Sequence, residues 1–208
     1  MKLREVQRLI GAYIAPSFPE LRLSGDMLVR WDGDPIVRGF VFDRSQAHKE
    51  MVRLHVFAQP LFVPADVIYL SVAETLGDFL FDDPEKEADR MEEVLRRAEH
   101  EGRCFLERVS DCCSLAETML TWPRGLMDED LSGEIRAYCL LWSGRADEAA
   151  AQLDVVIDQL REFEVESELE TLTQVTQIRK ALGRSDAKAH ELLETWASQT
   201  KEALQLVG

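Results

Sequence analysis

Residues 51–64 read MVRLHVFAQPLFVP, Met51 to Pro64, and this stretch decides the fold. Val52, Leu54 and Val56 alternate with Arg53, His55 and Phe57, a period of two that predicts a β-strand with one face on a core. On that pattern Val52, Leu54 and Val56 point inward, while Arg53 and His55 point the other way. Pro60 has no N–H to give a neighbouring strand, so regular pairing weakens there or the strand lies at an edge. Leu61, Phe62 and Val63 then form an apolar clip between Pro60 and Pro64. The clip is either a packed loop at the end of the strand or a hydrophobic ridge that docks a partner or covers the helical half. Leu61 and Phe62 are its candidate contact residues.

Upstream, Met27–Trp31 and Ile36–Asp43 are strand candidates separated by Asp32-Gly33-Asp34-Pro35, and Asp-Gly between two apolar runs signals a hairpin. Phe40 and Phe42 share one face of the second strand, Val37 and Val41 the other, and Gly39 marks a bulge or close packing. Polar residues 44–50 turn the chain into the central strand, which gives an antiparallel meander of three strands. Leu21-Arg22-Leu23 adds a short edge, and Val67 to Val72, VIYLSV, reads as a fourth strand or the start of a helix. Before the meander, Leu3, Val6, Leu9, Ile10 and Tyr13 fall at helical spacing until Pro16 ends the pattern.

Downstream the periodicity changes to that of helices. Asp82-Asp83-Pro84-Glu85 combines a cap, a first-turn proline and an acid near the positive end of the helix dipole. The helix it opens runs to about Val109 on a stripe that includes Met91, Val94, Leu95, Ala98 and Phe105. Ser114-Leu115-Ala116-Glu117 reads as a capping box for a shorter helix that stops before Pro123. Leu131 to Trp142 form another, closed by Ser143-Gly144. The fold class is therefore α+β. An N-terminal helix and a three- or four-stranded antiparallel meander (1–80) pack against an array of antiparallel helices (81–208).

A repeat occupies the end of the chain. Gly144, Arg145, Asp147, Ala150 and Leu153 match Gly183, Arg184, Asp186, Ala189 and Leu192 at an offset of 39. In both copies a helix ends at Gly and a second begins just after it, a helical hairpin used twice. The phrase Leu-Leu-Trp-Ser-Gly-Arg-Ala-Asp-Glu-Ala, residues 140–149, resembles the inter-helix turn of tetratricopeptide-type repeats. That resemblance implies a scaffold that binds a peptide or a partner helix.

Charge sharpens this. The 208 residues carry a formal net charge of −15. Residues 1–80 hold nine Lys and Arg against ten Asp and Glu, whereas 81–208 hold fifteen against twenty-nine. Surplus acid repels nucleic acid, whose binding needs Lys and Arg to displace counterions, and it steers basic partners. The densest acid lies in DQLREFEVESELE, where Asp158, Glu162, Glu164, Glu166, Glu168 and Glu170 face a single Arg161 and are interrupted by Phe163, Val165 and Leu169. This is either a solvated helix junction or a docking patch for a basic protein, with apolar anchors to hold what the charge attracts.

Catalytic and metal chemistry find little support. His100, Cys104, Cys112 and Cys113 lie close in sequence but form no C-x-x-C pair, and the four cysteines make no disulfide framework. Cys112 or Cys113 with His100 or His48 matches no nucleophile signature. Gly25, Gly33 and Gly39 match no phosphate loop. Arg30, Arg38, Arg44 and Arg53 sit in a lobe of near-zero net charge, so no nucleic-acid face is expected. No apolar run reaches the length of a membrane span, and no leader is recognised, so the expected setting is cytoplasmic with reduced thiols. The expectation is a non-enzymatic protein-binding module with neither metal nor cofactor. One concrete form is a bacterial immunity or defence-type protein that caps a basic toxin. The alternatives are a small hydrolase or nuclease around Asp32, Asp34, Asp43, Arg53 and His55, and a self-associating subunit that pairs through the 61–63 clip or the helix from Ser185.

Overall fold

The computed structural model describes residues 2–31, 35–44, 48, 50–121, 129–161 and 166–206, without the side chains of 129–130 and 166–167. The turn residues Asp32, Gly33 and Asp34 lie outside the described set. The chain divides into two compact units, Met1–Gln59 with Leu70–Arg108, and Pro60–Tyr69 with Val109–Gly208. That division differs from 1–80 and 81–208: the helix predicted from Asp82 belongs with the sheet, and Pro60–Tyr69 belongs with the later helices.

The first unit is built on an antiparallel sheet of five strands in chain order, β1 (Arg22–Ser24), β2 (Met27–Arg30), β3 (Ile36–Arg44), β4 (Met51–Pro60) and β5 (Ala73–Leu80). The predicted alternation holds in β4, where Val52, Leu54 and Val56 are buried, Arg53 is exposed and His55 is half-buried. Its pairing with β5 runs from Met51↔Leu80 to Phe57↔Ala73, and one further bond joins the Ala58 N–H to the Val72 carbonyl at 2.9 Å. The ladder thus stops just short of Pro60, where the missing donor would fall.

The fifth strand is a correction. Val67–Leu70 is irregular, and the strand begins only at Ala73. Leu76 is a bulged residue, because Leu54 pairs with Gly77 while His55 pairs with Thr75. The bulge breaks the alternation that would have marked AETLGDFL as a strand. Outside the ladder, Val67 and Tyr69 are about half exposed, at 50% and 49%.

Helices cover the face that carries Val52 and Leu54. The N-terminal helix α1 (Leu3–Leu9) continues through a π-turn (Ile10–Ile14) and a 3-10 turn (Ala15–Ser17), where Pro16 ends the pattern. The helix predicted from Asp82 starts where expected, with Asp83 Oδ1 accepting from the Glu85 N–H at 3.1 Å. It runs as α2 (Glu87–Arg97), a π-turn (Ala98–Gly102) and α3 (Arg103–Arg108). An apolar crevice between these helices and the sheet is lined by Leu9, Ile10, Val52, Leu54, Met91 and Val94. The stripe read from Met91 and Val94 therefore faces the sheet, and this places α2 in the first unit.

The second unit contains α4 (Cys112–Thr121), α5 (Glu129–Trp142), α6 (Ala146–Leu160), α7 (Glu166–Leu182), α8 (Asp186–Ala203) and the irregular segment 60–69. The cap of α4 is Asp111 rather than Ser114. The Asp111 N–H donates to Ser114 Oγ at 3.0 Å and the Ser114 N–H to Asp111 Oδ1 at 2.8 Å, a reciprocal box one turn earlier than predicted. Glu117 is thereby left for another partner.

Two helical hairpins, α5 with α6 and α7 with α8, occupy the stretch read as a repeat. From Ala146 to Asp186, the two second helices start 40 residues apart. The buried set Ala149, Leu153, Val156 and Leu160 recurs at Ala189, Leu193, Trp196 and Thr200 with the same spacing. The two glycines matched in sequence do different work. Gly144 is left-handed (φ 75°) and sits in a Schellman turn, with the Arg145 N–H on the Leu140 carbonyl at 2.9 Å. Gly183 is not left-handed, and there Ser185 caps α8 by accepting from the Lys188 N–H at 3.2 Å. Among the described residues no helix is long and apolar enough to cross a membrane.

Gly39 is the tightest point of the sheet. It lies opposite Val29 at φ 155°, and a Cβ there would fall 2.0 Å from the Leu28 carbonyl oxygen. Gly39→Ala is expected to cost at least about 2 kcal/mol. The measurement is urea unfolding, where the midpoint drops at unchanged slope; an unmoved midpoint would mean β2 does not approach this closely.

Candidate protein-docking surface

The predicted patch begins at the end of α6. Asp158 is exposed and pairs one turn on with Arg161 at 2.9 Å. Along α7, Glu168 is half-buried and Glu170 exposed. Glu162 and Glu164, with Phe163 and Val165 between them, lie outside the described residues, as does the Glu166 side chain. Leu169, one of the proposed anchors, is 48% exposed on α7, and Val155 is 52% exposed on α6.

Three arginines of this unit, Arg145, Arg179 and Arg136, bridge its helices. Arg145, at the start of α6, reaches Glu117 on α4 and holds Glu148 by two bonds of 2.7 and 2.6 Å. These two carboxylates raise the guanidinium further above its ordinary pKa, Glu148 first and Glu117 next. Arg179 on α7 makes the same double contact to Asp154 on α6, at 2.7 and 3.0 Å, and its hydrogen bonds hold Asp154 below the usual carboxylate range. Arg136 donates to Gln152 across the α5–α6 contact at 2.5 Å. Asp147, Glu170, Asp186, Glu191 and Glu202 remain exposed.

The clip is a different matter. Leu61 is 1% and Phe62 0% exposed, so neither presents a surface that a partner can touch. Phe62 meets Tyr138 edge-on at 6.1 Å and stacks on Trp142 at 5.7 Å, and Trp142 in turn stacks on His190 of α8 at 4.4 Å. The segment is core of the helical unit, and the docking role proposed for Leu61 and Phe62 is withdrawn.

The meander site assembles only in part. Asp32 and Asp34 lie outside the described residues. Arg53 is held across the ladder by Asp78 at 2.6 and 3.0 Å, which leaves its guanidinium occupied. His55 Nδ1 lies 3.2 Å from Thr75 Oγ1, and burial lowers the imidazole pKa, with Asp43 opposing weakly. The four cysteines are thiols and not disulfides, with Cys104 and Cys113 exposed and Cys112 and Cys139 buried. Among the described residues no cluster of three or more His, Cys, Asp or Glu is arranged to hold a metal.

Sequence reasoning passed over Glu134, an acid only 2% exposed in the interior of the helical unit. The signal was present. Glu134, Ala137, Tyr138 and Leu141 fall at i, i+3, i+4 and i+7, which places an acid inside an apolar stripe.

Comparison with protein-family models, with curated proteins and with solved structures gave no match.

Phe62→Ala is expected to destabilise the helical unit by about 3–5 kcal/mol, the cost of an emptied aromatic site. Denaturant unfolding followed by Trp fluorescence checks this. A loss under about 1 kcal/mol would return Phe62 to the surface.

Proposed function

We propose that this chain is a non-enzymatic protein-binding module whose acidic helical unit engages a basic protein partner. One observation carries the proposal: the helical unit holds nine Lys and Arg against twenty Asp and Glu, and Arg145, Arg161 and Arg179 are already paired with acids of their own unit. Among the described residues Asp147, Glu170, Asp186, Glu191 and Glu202 add exposed acid to the same helices. Such a surface raises the encounter rate with a basic protein and discriminates against acidic ones. Exposed Val155 and Leu169 supply apolar contacts within the same helices. The two helical hairpins suit a scaffold of the tetratricopeptide type, and a protein that caps a basic toxin is the concrete form that fits the charge best.

The test pairs the protein with a variant in which Asp158 becomes Asn and Glu162, Glu164, Glu166, Glu168 and Glu170 become Gln. A tagged copy of each is used to capture partners from native extract at low and moderate salt, and the captured protein is then titrated in purified form. One stoichiometric basic protein is expected, bound at least about tenfold more weakly by the variant. Its association rate should fall as salt rises, because screening shortens the Debye length to about 8 Å at physiological strength. Equal binding by both copies, or binding indifferent to salt, would remove the acidic surface from the mechanism.

A further inference from the structure

Three polar side-chain atoms of α5 are sealed from solvent without a hydrogen-bond partner: Glu134 Oε1, Arg136 Nε and the Tyr138 hydroxyl. Arg136 is anchored through another nitrogen on Gln152, whereas Glu134 Oε1 and the Tyr138 hydroxyl are left without a partner. They lie one turn apart and so share a helix face. On that face the Tyr138 ring meets Phe62 at 6.1 Å and Trp196 at 5.9 Å, both edge-on.

An ionised Glu134 would place charge on an oxygen, Oε1, that has neither water nor a donor, which is the arrangement proteins avoid. Burial pushes the Glu134 carboxyl up to about 7, and Tyr138 offsets part of this although its hydroxyl stands outside hydrogen-bonding geometry. The elements packed on α5 bring other ionisable groups. From α4 come Cys112 and Glu117, from α6 Glu148 and Asp154, from α8 His190 and Glu194, and from segment 60–69 Asp66 and Tyr69. Arg145 and Arg179 hold Glu117, Glu148 and Asp154. None of these groups contributes to the Glu134 shift, whose causes are burial and Tyr138 alone.

We propose that α5 is a proton-linked element: Glu134 is packed as the uncharged acid, and loss of its proton loosens the face that Tyr138 shares with Phe62 and Trp196. The sign follows from linkage. The native pKa lies above the ordinary value of 4.5, so below 4.5 both native and unfolded states carry the proton. As pH rises from there to about 7 the unfolded state loses it first, and stability falls; above that window the loss is complete. Carboxylates held low by arginine, such as Asp154 and Glu148, are already ionised there and add nothing to the slope.

The experiment is urea unfolding of the full chain and of Glu134→Gln at about pH 6 and about pH 8.5. In the wild type the folded-to-unfolded ratio should fall about tenfold between the two, and in Glu134→Gln this fall should be absent. Equal pH dependence in both proteins overturns the proposal. Histidine titrates in the same window, and His55 is a histidine whose pKa burial lowers, so His55→Gln is the control. It should keep the wild-type slope, and its losing that slope assigns the proton elsewhere. A second measurement does not depend on any variant folding. The infrared carbonyl band of a protonated carboxyl should be present in the wild type at about pH 6 and vanish with a midpoint near neutrality; its absence at about pH 6 also overturns the proposal.

Discussion

The helical unit depends on the burial of one ring. Phe62 stands between Tyr138 and Trp142, and Trp142 passes the contact on to His190, so a segment without secondary structure, α5 and α8 are joined through a single aromatic column. Aromatic pairs at such spacings add about 0.5–1.5 kcal/mol each beyond the area they bury. The sheet unit has a comparable anchor in Phe40, which meets Phe18 at 4.9 Å and fills the space that Gly102 leaves open; a Cβ on Gly102 would lie 2.4 Å from that ring. Gly102 closes the π-turn of its helix, and Leu76, the bulged residue of β5, lies 3.2 Å from the same Cβ position. One irregularity of the helix thus fits against one irregularity of the sheet.

Ion pairs act on a different scale. Exposed arginine–carboxylate pairs contribute between about 0 and 1 kcal/mol each, and the packing beneath them does far more for stability. Arg145 and Arg179 matter for where they leave charge. By closing on Glu117, Glu148 and Asp154 they keep their own guanidinium groups in the seams between helices. The outer surface is then dominated by acid. The structure tolerates that surplus because exposed acids are solvated.

Much of the fold was legible because local chemistry and tertiary packing agree. The alternation of Val52, Leu54 and Val56, the Asp83 cap and the helical stripe through Met91 and Val94 all state in sequence what they do in space. The misreadings arise where two solutions compete. VIYLSV has the composition of a strand, yet the ladder takes AETLGDFL, whose bulge and glycine hide its period. Asp111 and Ser114 are both good caps, and the reciprocal bond between them decides in favour of Asp111. The repeat was aligned on its glycines, whereas the buried residues follow a spacing one residue longer. At the candidate surface the exposed acids and Leu169 were legible, but Phe62 was not: its apolar character fits a docking ridge and a core equally, and only its neighbours distinguish them.

The route of the chain has a consequence for how the protein is made. Pro60–Tyr69 belongs with the helices, yet it is synthesised between two strands of the sheet. On a translating ribosome the sheet can pair, and Gly102 can close on Phe40, while Phe62 still has nothing to pack against. Its partners emerge only with Tyr138 and Trp142. During that interval an apolar loop hangs from a formed sheet and is open to chaperones or to a second nascent copy. The helical unit is therefore not an autonomous tail. A cut between Arg108 and Val109 would separate it from a piece of its own interior.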